Sequence, residues 1–294
     1  MNQAEKMNTA LAQDVSIISD GEFAKFCELF YRKTGIKFDL NKKYFVERRI
    51  LDRMSKTGCD TFHDYFMSIR FEASGEEMQR LVNQMTVNET YFFREDYQFK
   101  ALVQGLLPDL ALGRSPNDPI RIWSIPCSSG EEPYSLAIYI LEQWVDADRY
   151  DIQIMASDID SAILAEAAAG VYGERSLQRL STELIHKYFA KQKDCRYKIS
   201  DNIRNSIDFS RVNAVDPLQM SKYHDIDVIF CRNMLIYFDD RSRCEAIEAM
   251  YDCLAPGGYI CLGHSESMSR ISSLFKPRKY SDSIIYQKTV ETEK

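Results

Sequence analysis

The sequence SIPCSSGEEPYS, residues 124–135, follows the apolar run IRIW and decides the fold. An apolar run that passes through a glycine-containing turn into a helical pattern is typical of a strand–turn–helix unit that binds a nucleotide or nucleoside. This turn contains one glycine, Gly130, and two acidic residues, Glu131 and Glu132, follow it directly. Because two carboxylates would repel a pyrophosphate, the turn disfavours NAD or ATP as the ligand.

Strand-like and helical patterns alternate from about residue 118 onward. The strand-like runs cover residues 120–125, 152–156, 226–231 and 259–262, and helical patterns lie near 133–146, 160–169 and 240–254. This alternation predicts an α/β domain whose parallel sheet is covered by helices on both faces. Residues 195–209 predict a small antiparallel insert, and KYSDSIIYQK (279–288) predicts a last antiparallel strand at or near the sheet edge.

The region between residues 20 and 83 has helical patterns only. It predicts a bundle of about four short helices, with N-caps at Asp20, Asn41 and Thr61 and helix ends at Gly35 and Gly58. We therefore expect a helical domain over residues 16–84 and an α/β domain over 85–294, the latter with its β insert at about 192–208.

The composition is that of an acidic globular protein, with 294 residues, 45% hydrophobic content and a net charge of −7. The negative charge weighs against a nucleic-acid partner. The eight cysteines and four histidines are scattered, so no metal site and no disulfide framework is expected. Residues 1–16 lack the apolar core of a signal peptide, and no run approaches the roughly 18 apolar residues of a membrane span. A cytoplasmic protein without direct membrane insertion is expected.

Polar residues follow three of the predicted strands, at the edge where parallel sheets bind ligands. They are the acidic turn, Asp158 in ASDID and Asn233 in FCRN. Asp158 is placed to bind the two hydroxyls of a ribose. A ribose-binding carboxylate beside an acidic turn favours S-adenosylmethionine, a positively charged nucleoside whose ammonium group Glu132 can bind. The alternative is that Glu131 and Glu132 only complement the helix dipole.

Five motifs in order resemble the CheR family of chemotaxis methyltransferases: NETYFFRE (88–95), CSSGEEPYSLAI (127–138), ASDID (156–160), IFCRNMLIYFD (229–239) and GGYICLGHSES (257–267). The resemblance covers nearly the whole chain. It implies a Rossmann-like S-adenosylmethionine-dependent methyltransferase domain behind a small N-terminal all-α domain. The reaction it implies is methyl transfer to glutamate side chains of chemoreceptor cytoplasmic helices, which gives glutamate methyl esters and S-adenosylhomocysteine and serves adaptation in chemotaxis-type signalling.

The resemblance also implies the site residues. Cofactor contacts are expected at Asn88, Thr90, Arg94, Glu132, Asp158, Asn213, Ala214, Asn233 and Met234. Arg94 and Tyr237 are expected near the transferred methyl group as catalytic residues, where the planar guanidinium of Arg94 can hold the incoming carboxylate. The alternatives are a buried Tyr237 with a satisfied hydroxyl and an Arg94 that pairs with Glu89 or Glu95 at the surface.

A basic stripe is predicted on the helix through residues 41–57. Lys42, Arg49, Arg53 and Lys56 fall within roughly 60° of one another at about 100° per residue. The resemblance implies that this domain docks receptor helices, and the alternative is an ordinary solvated face. The short insert favours a family member that needs no receptor tethering peptide, and a monomer is expected.

Two other functions stay open. One is a nucleic-acid N-methyltransferase, because Asn233 and Tyr237 loosely resemble an NPPY element, although both prolines are missing and the net charge is negative. The other is a binding module that senses S-adenosylmethionine or its product without turnover, against which the presence of Arg94 and Tyr237 weighs.

Overall fold

The computed structural model describes residues 18–280 and 282–289. The described chain forms two compact units. The smaller contains the residues up to Lys33 and Lys37–Met85, and the larger contains Thr34–Ile36 and the chain from Thr86 onward. Residues 16 and 17 of the expected helical domain lie outside the described residues, as do residues 1–16, where no signal peptide is expected, and 290–294 of the expected α/β domain.

The smaller unit contains helices joined by short turns and no strand in its described part. Its helices are α1 (Asp20–Thr34), α2 (Lys43–Thr57), α3 (Phe62–Phe71) and α4 (Glu76–Met85), with a 3-10 turn at Leu40–Lys42. As predicted, the Thr61 hydroxyl accepts the Asp64 N–H and caps α3, and Gly58 ends α2 at a φ of +73°.

The other two predicted N-caps are wrong. Ser19, not Asp20, caps α1, because its hydroxyl accepts the Glu22 N–H while the Glu22 carboxylate accepts the Ser19 N–H. Asn41 lies inside the 3-10 turn, and α2 begins at Lys43 without a side-chain cap. In both cases the true boundary lies within two residues of the predicted one, which is the usual uncertainty at helix ends.

Arg53 lies in the interior of the smaller unit, so its predicted place in an exposed stripe is wrong. Its guanidinium donates to both carboxylate oxygens of Glu77 in α4, at 2.8 and 2.6 Å, and the Tyr65 hydroxyl donates to the same carboxylate at 2.9 Å. The physical reason is helical geometry. Arg53 stands two turns after Val46 on the same face of α2, and Val46 is fully buried.

We expect Arg53→Ala to lower the free energy of unfolding by roughly 3–5 kcal/mol, because the Glu77 charge is left buried without its partner. Lys56→Ala is the matched control: it breaks an ion pair with Asp52 in which both side chains are about half exposed. The control should cost less than about 1 kcal/mol. Chemical denaturation followed by circular dichroism measures both values, and similar losses in the two variants would contradict the assignment.

The larger unit is built around a seven-stranded sheet. Its strands are β1 (Ile120–Ser124), β2 (Ile152–Asp158), β6 (Ile207–Arg211), β7 (Ile226–Cys231), β8 (Leu254–Leu262), β9 (Phe275–Tyr280) and β10 (Ser283–Lys288). Their order is β6-β2-β1-β7-β8-β10-β9. The first five are parallel, whereas β10 runs antiparallel to both β8 and β9. The α/β prediction is confirmed, including the antiparallel last strand.

Helices cover this sheet on both faces. Before β1 the chain forms α5 (Asp96–Ala101), a π-helical turn (Leu102–Leu106) and α6 (Leu107–Ala111). The later helices are α7 (Glu131–Gln143), α8 (Ser161–Ala169), α9 (Glu174–Leu177), α10 (Thr182–Tyr188), α11 (Asp201–Arg204), α12 (Pro217–Met220) and α13 (Asp240–Cys253). Alternate strand residues enter two hydrophobic clusters: Ile122 and Phe230 lie in one, Trp123 and Ile229 in the other. This alternation is the pattern of a sheet that is buried on both faces.

The small antiparallel insert is present, with different bounds from those expected. It consists of β3 (Val171–Tyr172), β4 (Phe189–Lys191) and β5 (Tyr197–Ile199), in the order β3-β5-β4. The segment Ile207–Arg211, which was expected to contribute to the insert, pairs in parallel with β2 as the edge of the main sheet. Its alternating pattern is the same for either kind of edge strand, so the sequence pattern could not tell the two apart.

Among the described residues, no helix has both the length and the apolar character needed to cross a membrane.

Candidate functional site

The strand order places a crevice between β1 and β7. From β1 the chain proceeds to β2 and β6 on one side, and β7 and β8 lie on the other. Ligands of open α/β sheets bind where the order reverses in this way, at the carboxyl ends of the strands. The segments that follow β1, β2, β6 and β7 therefore meet at one edge, and they carry the acidic turn, Asp158, Asn213 with Ala214, and Asn233.

Asp158 joins two of these segments. It is the last residue of β2 and is 3% exposed, and its Oδ2 accepts the Ser128 N–H at 2.9 Å while its Oδ1 accepts the Asp160 N–H at 3.0 Å. Burial raises the pKa of the Asp158 carboxyl to about 6. The Ile159 N–H also bonds to this carboxylate, which still has acceptor capacity for a hydroxyl donor. Ser128 adopts a φ of +48°, and its buried Oγ has no partner in the described part of the chain.

These groups fit a nucleoside. A carboxylate with unused acceptor capacity and a buried hydroxyl without a partner match the donors and acceptors of a ribose. Asp158 would hold the ribose hydroxyls, and Ser128, which sequence reasoning missed, offers a second polar group in the same turn. Its signal in the sequence was its place directly before the Ser129–Gly130 turn.

Asn88 and Thr90 lie in the NETYFFRE segment, which is anchored beside the end of β2. The Asn88 amide donates to Asp160 Oδ2 at 3.0 Å, and Thr86 donates to the same oxygen at 2.7 Å. Asp160 also caps α8 through its Oδ1, which accepts two N–H groups. Thr90 is half-buried. The segment is thus held at the predicted site, and direct contacts of Asn88 and Thr90 with a ligand stay a prediction.

Glu132 is neutralised inside the protein by Arg232, a residue that sequence reasoning missed. One Glu132 oxygen accepts the Ser124 hydroxyl at 2.7 Å and the other accepts Arg232 Nη1 at 2.7 Å. Burial raises the pKa of the Glu132 carboxyl, and the Arg232 charge opposes this rise. Direct contact of Glu132 with a ligand's ammonium group stays a prediction.

Arg232 also holds the segment that contains Arg94. Its Nη2 donates to the Arg94 carbonyl at 2.6 Å and lies 3.3 Å from the Glu95 carboxylate, while its side chain is 3% exposed. In the sequence Arg232 stands directly before Asn233 in FCRN, and nothing there marks its partners in the two distant segments.

Arg94 has a guanidinium that pairs with no carboxylate of the described residues. Its Nη1 donates to the Glu89 carbonyl at 2.8 Å. The Glu89 carboxylate pairs with Arg175 instead, and that of Glu95 with Arg232 and His264. The alternative in which Arg94 forms a surface pair with Glu89 or Glu95 therefore does not occur. The neighbours of Arg94, Phe93 and Glu95, adopt φ values of +58° and +57°, a strained conformation that is frequent at functional sites.

Tyr237 lies near Arg94. It ends the 3-10 turn Leu235–Tyr237 after β7 and is 39% exposed, so it is not a buried aromatic of the core. Burial raises the pKa of its hydroxyl, and the positive charge of Arg94 counteracts this effect. In the same loop Asn233 has a φ of +59°, and the half-buried Met234 packs against one of the hydrophobic clusters.

Asn213 and Ala214 follow β6. Ala214 is 5% exposed, and the Asn213 N–H donates to Gln219 Oε1 at 3.0 Å. The predicted cofactor residues thus follow the ends of β1, β2, β6 and β7 at one edge of the sheet or lie in the segment anchored there.

The predicted docking residues lie in the smaller unit. Lys42 is exposed, and Lys56 pairs with Asp52. Arg49 is half-buried: its Nε donates to the Gln84 carbonyl at 2.6 Å and its guanidinium lies 3.4 Å from the centre of the Phe45 ring. An open groove of about 610 Å³ adjoins it, lined by Tyr44, Phe45, Arg48, Arg49, Asp52 and Gln84.

The mainly parallel sheet, the buried acid at the end of β2, the acidic turn after β1 and the antiparallel strand β10 match the arrangement expected of the S-adenosylmethionine-dependent methyltransferases. Comparison with family models narrows this class. The "CheR methyltransferase, SAM binding domain" model matches residues 88–284, and the "CheR methyltransferase, all-alpha domain" model matches residues 21–86. The chain belongs to the CheR methyltransferase family, and its cofactor is S-adenosylmethionine.

Individual relatives are similar in sequence to this chain over most of its length. It is 48% identical to "Chemotaxis protein methyltransferase 2" of Vibrio cholerae over 272 residues, which cover 92% of this chain and 94% of the relative. It is 35% identical to "Chemotaxis protein methyltransferase" of Vibrio parahaemolyticus, over 92% of this chain and 98% of the relative.

We expect the affinity for S-adenosylhomocysteine to depend on pH through Asp158. A carboxylate accepts ribose hydroxyls and a protonated carboxyl does so less well, so the affinity should be constant well above the Asp158 pKa of about 6. Below that value the dissociation constant should rise roughly tenfold per pH unit. Calorimetry between about pH 5 and pH 8 measures this profile.

Asp158→Ala is the partner experiment. It should weaken S-adenosylhomocysteine binding by about 10- to 150-fold near neutral pH, the equivalent of roughly 1.5–3 kcal/mol for a hydrogen bond to a charged group, and should flatten the pH profile. A folded variant with the affinity and pH profile of the wild type would remove Asp158 from the ribose site.

Proposed function

We propose that this chain transfers the methyl group of S-adenosylmethionine to glutamate side chains on the cytoplasmic helices of chemoreceptors, giving glutamate methyl esters, and so serves adaptation in chemotaxis-type signalling. Membership of the CheR family supports the methyltransferase activity, and the names of its relatives support a role in chemotaxis. The observation that carries the proposal is the guanidinium of Arg94, which has no carboxylate partner among the described residues and lies near the half-exposed Tyr237.

The chemistry needs positioning and charge compensation rather than a base. A glutamate side chain has an ordinary pKa of about 4.3, so the nucleophile is already ionised at neutral pH. When bound, S-adenosylmethionine supplies an electrophilic methyl group on a sulfonium and is left as S-adenosylhomocysteine. What remains for the protein is to orient the carboxylate, and such orientation contributes roughly 7–11 kcal/mol to lowering a barrier.

Arg94 and Tyr237 are suited to this orientation. The planar guanidinium can hold a carboxylate through two parallel hydrogen bonds. The Tyr237 hydroxyl can donate a third hydrogen bond, because a tyrosine with the ordinary pKa of about 10 is protonated at neutral pH. Burial raises the pKa of Tyr237 further. Arg232 holds the Arg94 backbone in place, because its Nη2 donates a hydrogen bond to the Arg94 carbonyl.

The receptor would dock on the exposed basic residues of the smaller unit. Lys42, Arg48 and Lys56 are exposed there, and an acidic helix would be attracted to them. Arg53 is excluded from this role because it is buried with Glu77. We also propose that no tethering peptide is required, since the turn between β4 and β5 spans only residues 192–196.

Methyl-transfer assays separate this proposal from its alternatives. Receptor cytoplasmic fragments, with and without their C-terminal tails, are compared with RNA and DNA as acceptors. Turnover on the receptor fragments, with no turnover on RNA or DNA, supports the proposal. Turnover on nucleic acid would favour an N-methyltransferase. Tight S-adenosylhomocysteine binding without any turnover would favour a sensor module.

We expect Arg94→Ala to reduce kcat for receptor methylation by roughly 100-fold or more, because the incoming carboxylate loses its bidentate partner. The free energy of unfolding should change by less than about 1 kcal/mol, since Arg94 is only half-buried and pairs with no carboxylate among the described residues. Arg175→Ala, at the exposed ion pair with Glu89, is the matched control and should retain kcat. Wild-type turnover in Arg94→Ala would remove this residue from the site.

Docking is tested with the double variant Lys42→Glu and Lys56→Glu. The KM for receptor fragments should rise roughly tenfold at low salt, and the affinity for S-adenosylhomocysteine should not change. For the wild type, KM should rise with salt, because ions screen the attraction beyond about 8 Å at physiological ionic strength.

The control for docking is Arg32→Glu with Arg70→Glu, two exposed positions on α1 and α3. This control reverses the same amount of charge away from the surface that carries Lys42 and Lys56. An equal rise of KM in both double variants would show that net charge matters and that this surface is not the docking surface.

A further inference from the structure

The loop between β7 and α13, residues 232–239, has its backbone held by one carboxylate. Glu266 Oε2 accepts the N–H groups of Asn233 and Gly263 at 2.9 and 2.8 Å, and Glu266 Oε1 accepts that of Leu235 at 2.8 Å. Hydrogen bonds to an ionised acceptor are about twice as strong as neutral ones. A single side chain therefore connects the end of β8 to the loop that carries Asn233 and Tyr237.

The loop is also held at its other side. Arg243 Nε donates to the Leu235 carbonyl at 2.8 Å, and the Leu235 side chain is 1% exposed. Both backbone polar groups of Leu235 are thus bonded to side chains. Tyr237 ends the same 3-10 turn, with its N–H bonded to the Met234 carbonyl at 3.1 Å. The position of the Tyr237 hydroxyl consequently depends on how Leu235 is held.

The contact between the two segments leaves no room for a side chain at Gly263. A Cβ atom there would lie 2.9 Å from Asn233 Nδ2 and 2.9 Å from Glu266 Oε2. Asn233 itself adopts a left-handed φ of +59°, which is unfavourable for a residue with a side chain unless its surroundings impose it. The bond from the Asn233 N–H to Glu266 is one of the contacts that impose it.

We infer that Glu266 is a positioning residue for methyl transfer. It holds the loop in the conformation that presents Asn233 to the cofactor and Tyr237 to the reacting carboxylate, and it does so through hydrogen bonds to the backbone N–H groups of Asn233 and Leu235. The kinetic part of this inference rests on the proposed function.

Glu266→Gln separates the bonds that Oε2 accepts from Asn233 and Gly263 from the bond that Oε1 accepts from Leu235. The glutamine oxygen can take the place of Oε2 and accept from Asn233 and Gly263, but the amide NH2 then faces the Leu235 N–H and cannot accept. We expect kcat for receptor methylation to fall roughly tenfold or more. The KM for the receptor fragment and the dissociation constant for S-adenosylhomocysteine should change less than about threefold. Amide exchange at Leu235 should become faster.

Two further variants make the comparison decisive. Asp227→Asn changes a buried carboxylate that also accepts three hydrogen bonds, two from Arg114 and one from the Arg121 N–H, at the opposite end of β7. Asp227→Asn should lower thermal stability. Its kcat and its slow amide exchange at Leu235 should both stay as in the wild type. Glu266→Asp keeps the charge and shortens the side chain by one methylene, so it should show the kinetic loss of Glu266→Gln.

Several outcomes would overturn the inference. They are slow exchange at Leu235 in Glu266→Gln, equal losses of kcat in Glu266→Gln and Asp227→Asn at matched stability, or full recovery of kcat by aspartate. If the wild type itself does not methylate receptor fragments, the proposed function fails. In that case amide exchange at Leu235 still decides whether Glu266 holds the loop: faster exchange in Glu266→Gln supports the inference, and unchanged exchange overturns it.

Discussion

The buried guanidinium of Arg232 is the interaction on which the site depends. It joins three segments that are far apart in the sequence: the start of α7 through Glu132, the FFRE segment through the Arg94 carbonyl and Glu95, and its own position after β7. A charge buried to this extent is costly unless it is paired and hydrogen-bonded. The two carboxylates compensate it, and the requirement to satisfy it fixes how the segments approach one another.

The acidic turn therefore carries less uncompensated negative charge than its sequence suggests. Glu131 and Glu132 look like two free negative charges, and this was the reason to favour a positively charged ligand. In the structure Glu132 is paired with Arg232, and Glu131 is bonded to the hydroxyls of Ser129 and Ser176. The interpretation led to the right cofactor, although much of the charge on which it rested is compensated within the protein.

The periodic parts of the fold were predictable, and the parts set by single long-range pairs were not. The central strands β1 and β7 are rich in apolar residues and are buried at almost every position, which makes them recognisable because both faces of the sheet are covered. The edge strand β6 has one weakly buried face, so its pattern fitted an insert equally well. Arg53 looked exposed because a charge on a helix usually is, and only its partner Glu77, on another helix, places it inside.

The same distinction applies to the site. Residues at strand ends were located from the sequence because the topology of a parallel sheet brings strand ends together. Arg232 and Glu266 were missed because their partners are backbone groups and carboxylates from distant segments, and no spacing in the sequence marks such a pair. Ligand contacts of the predicted residues stay predictions, whereas their grouping at one edge of the sheet follows from the fold.

The outer strand β9 has a consequence for association between chains. β9 is the edge strand of the sheet on the side of β8 and β10. Four consecutive residues of it are exposed: Lys276, Pro277, Arg278 and Lys279. Proline cannot donate a ladder hydrogen bond, and neighbouring positive charges repel the same strand of a second copy. This edge of the sheet therefore disfavours pairing with a strand of a second copy and so opposes aggregation. It does so even though the neighbouring strand β10 exposes Ile284 to solvent.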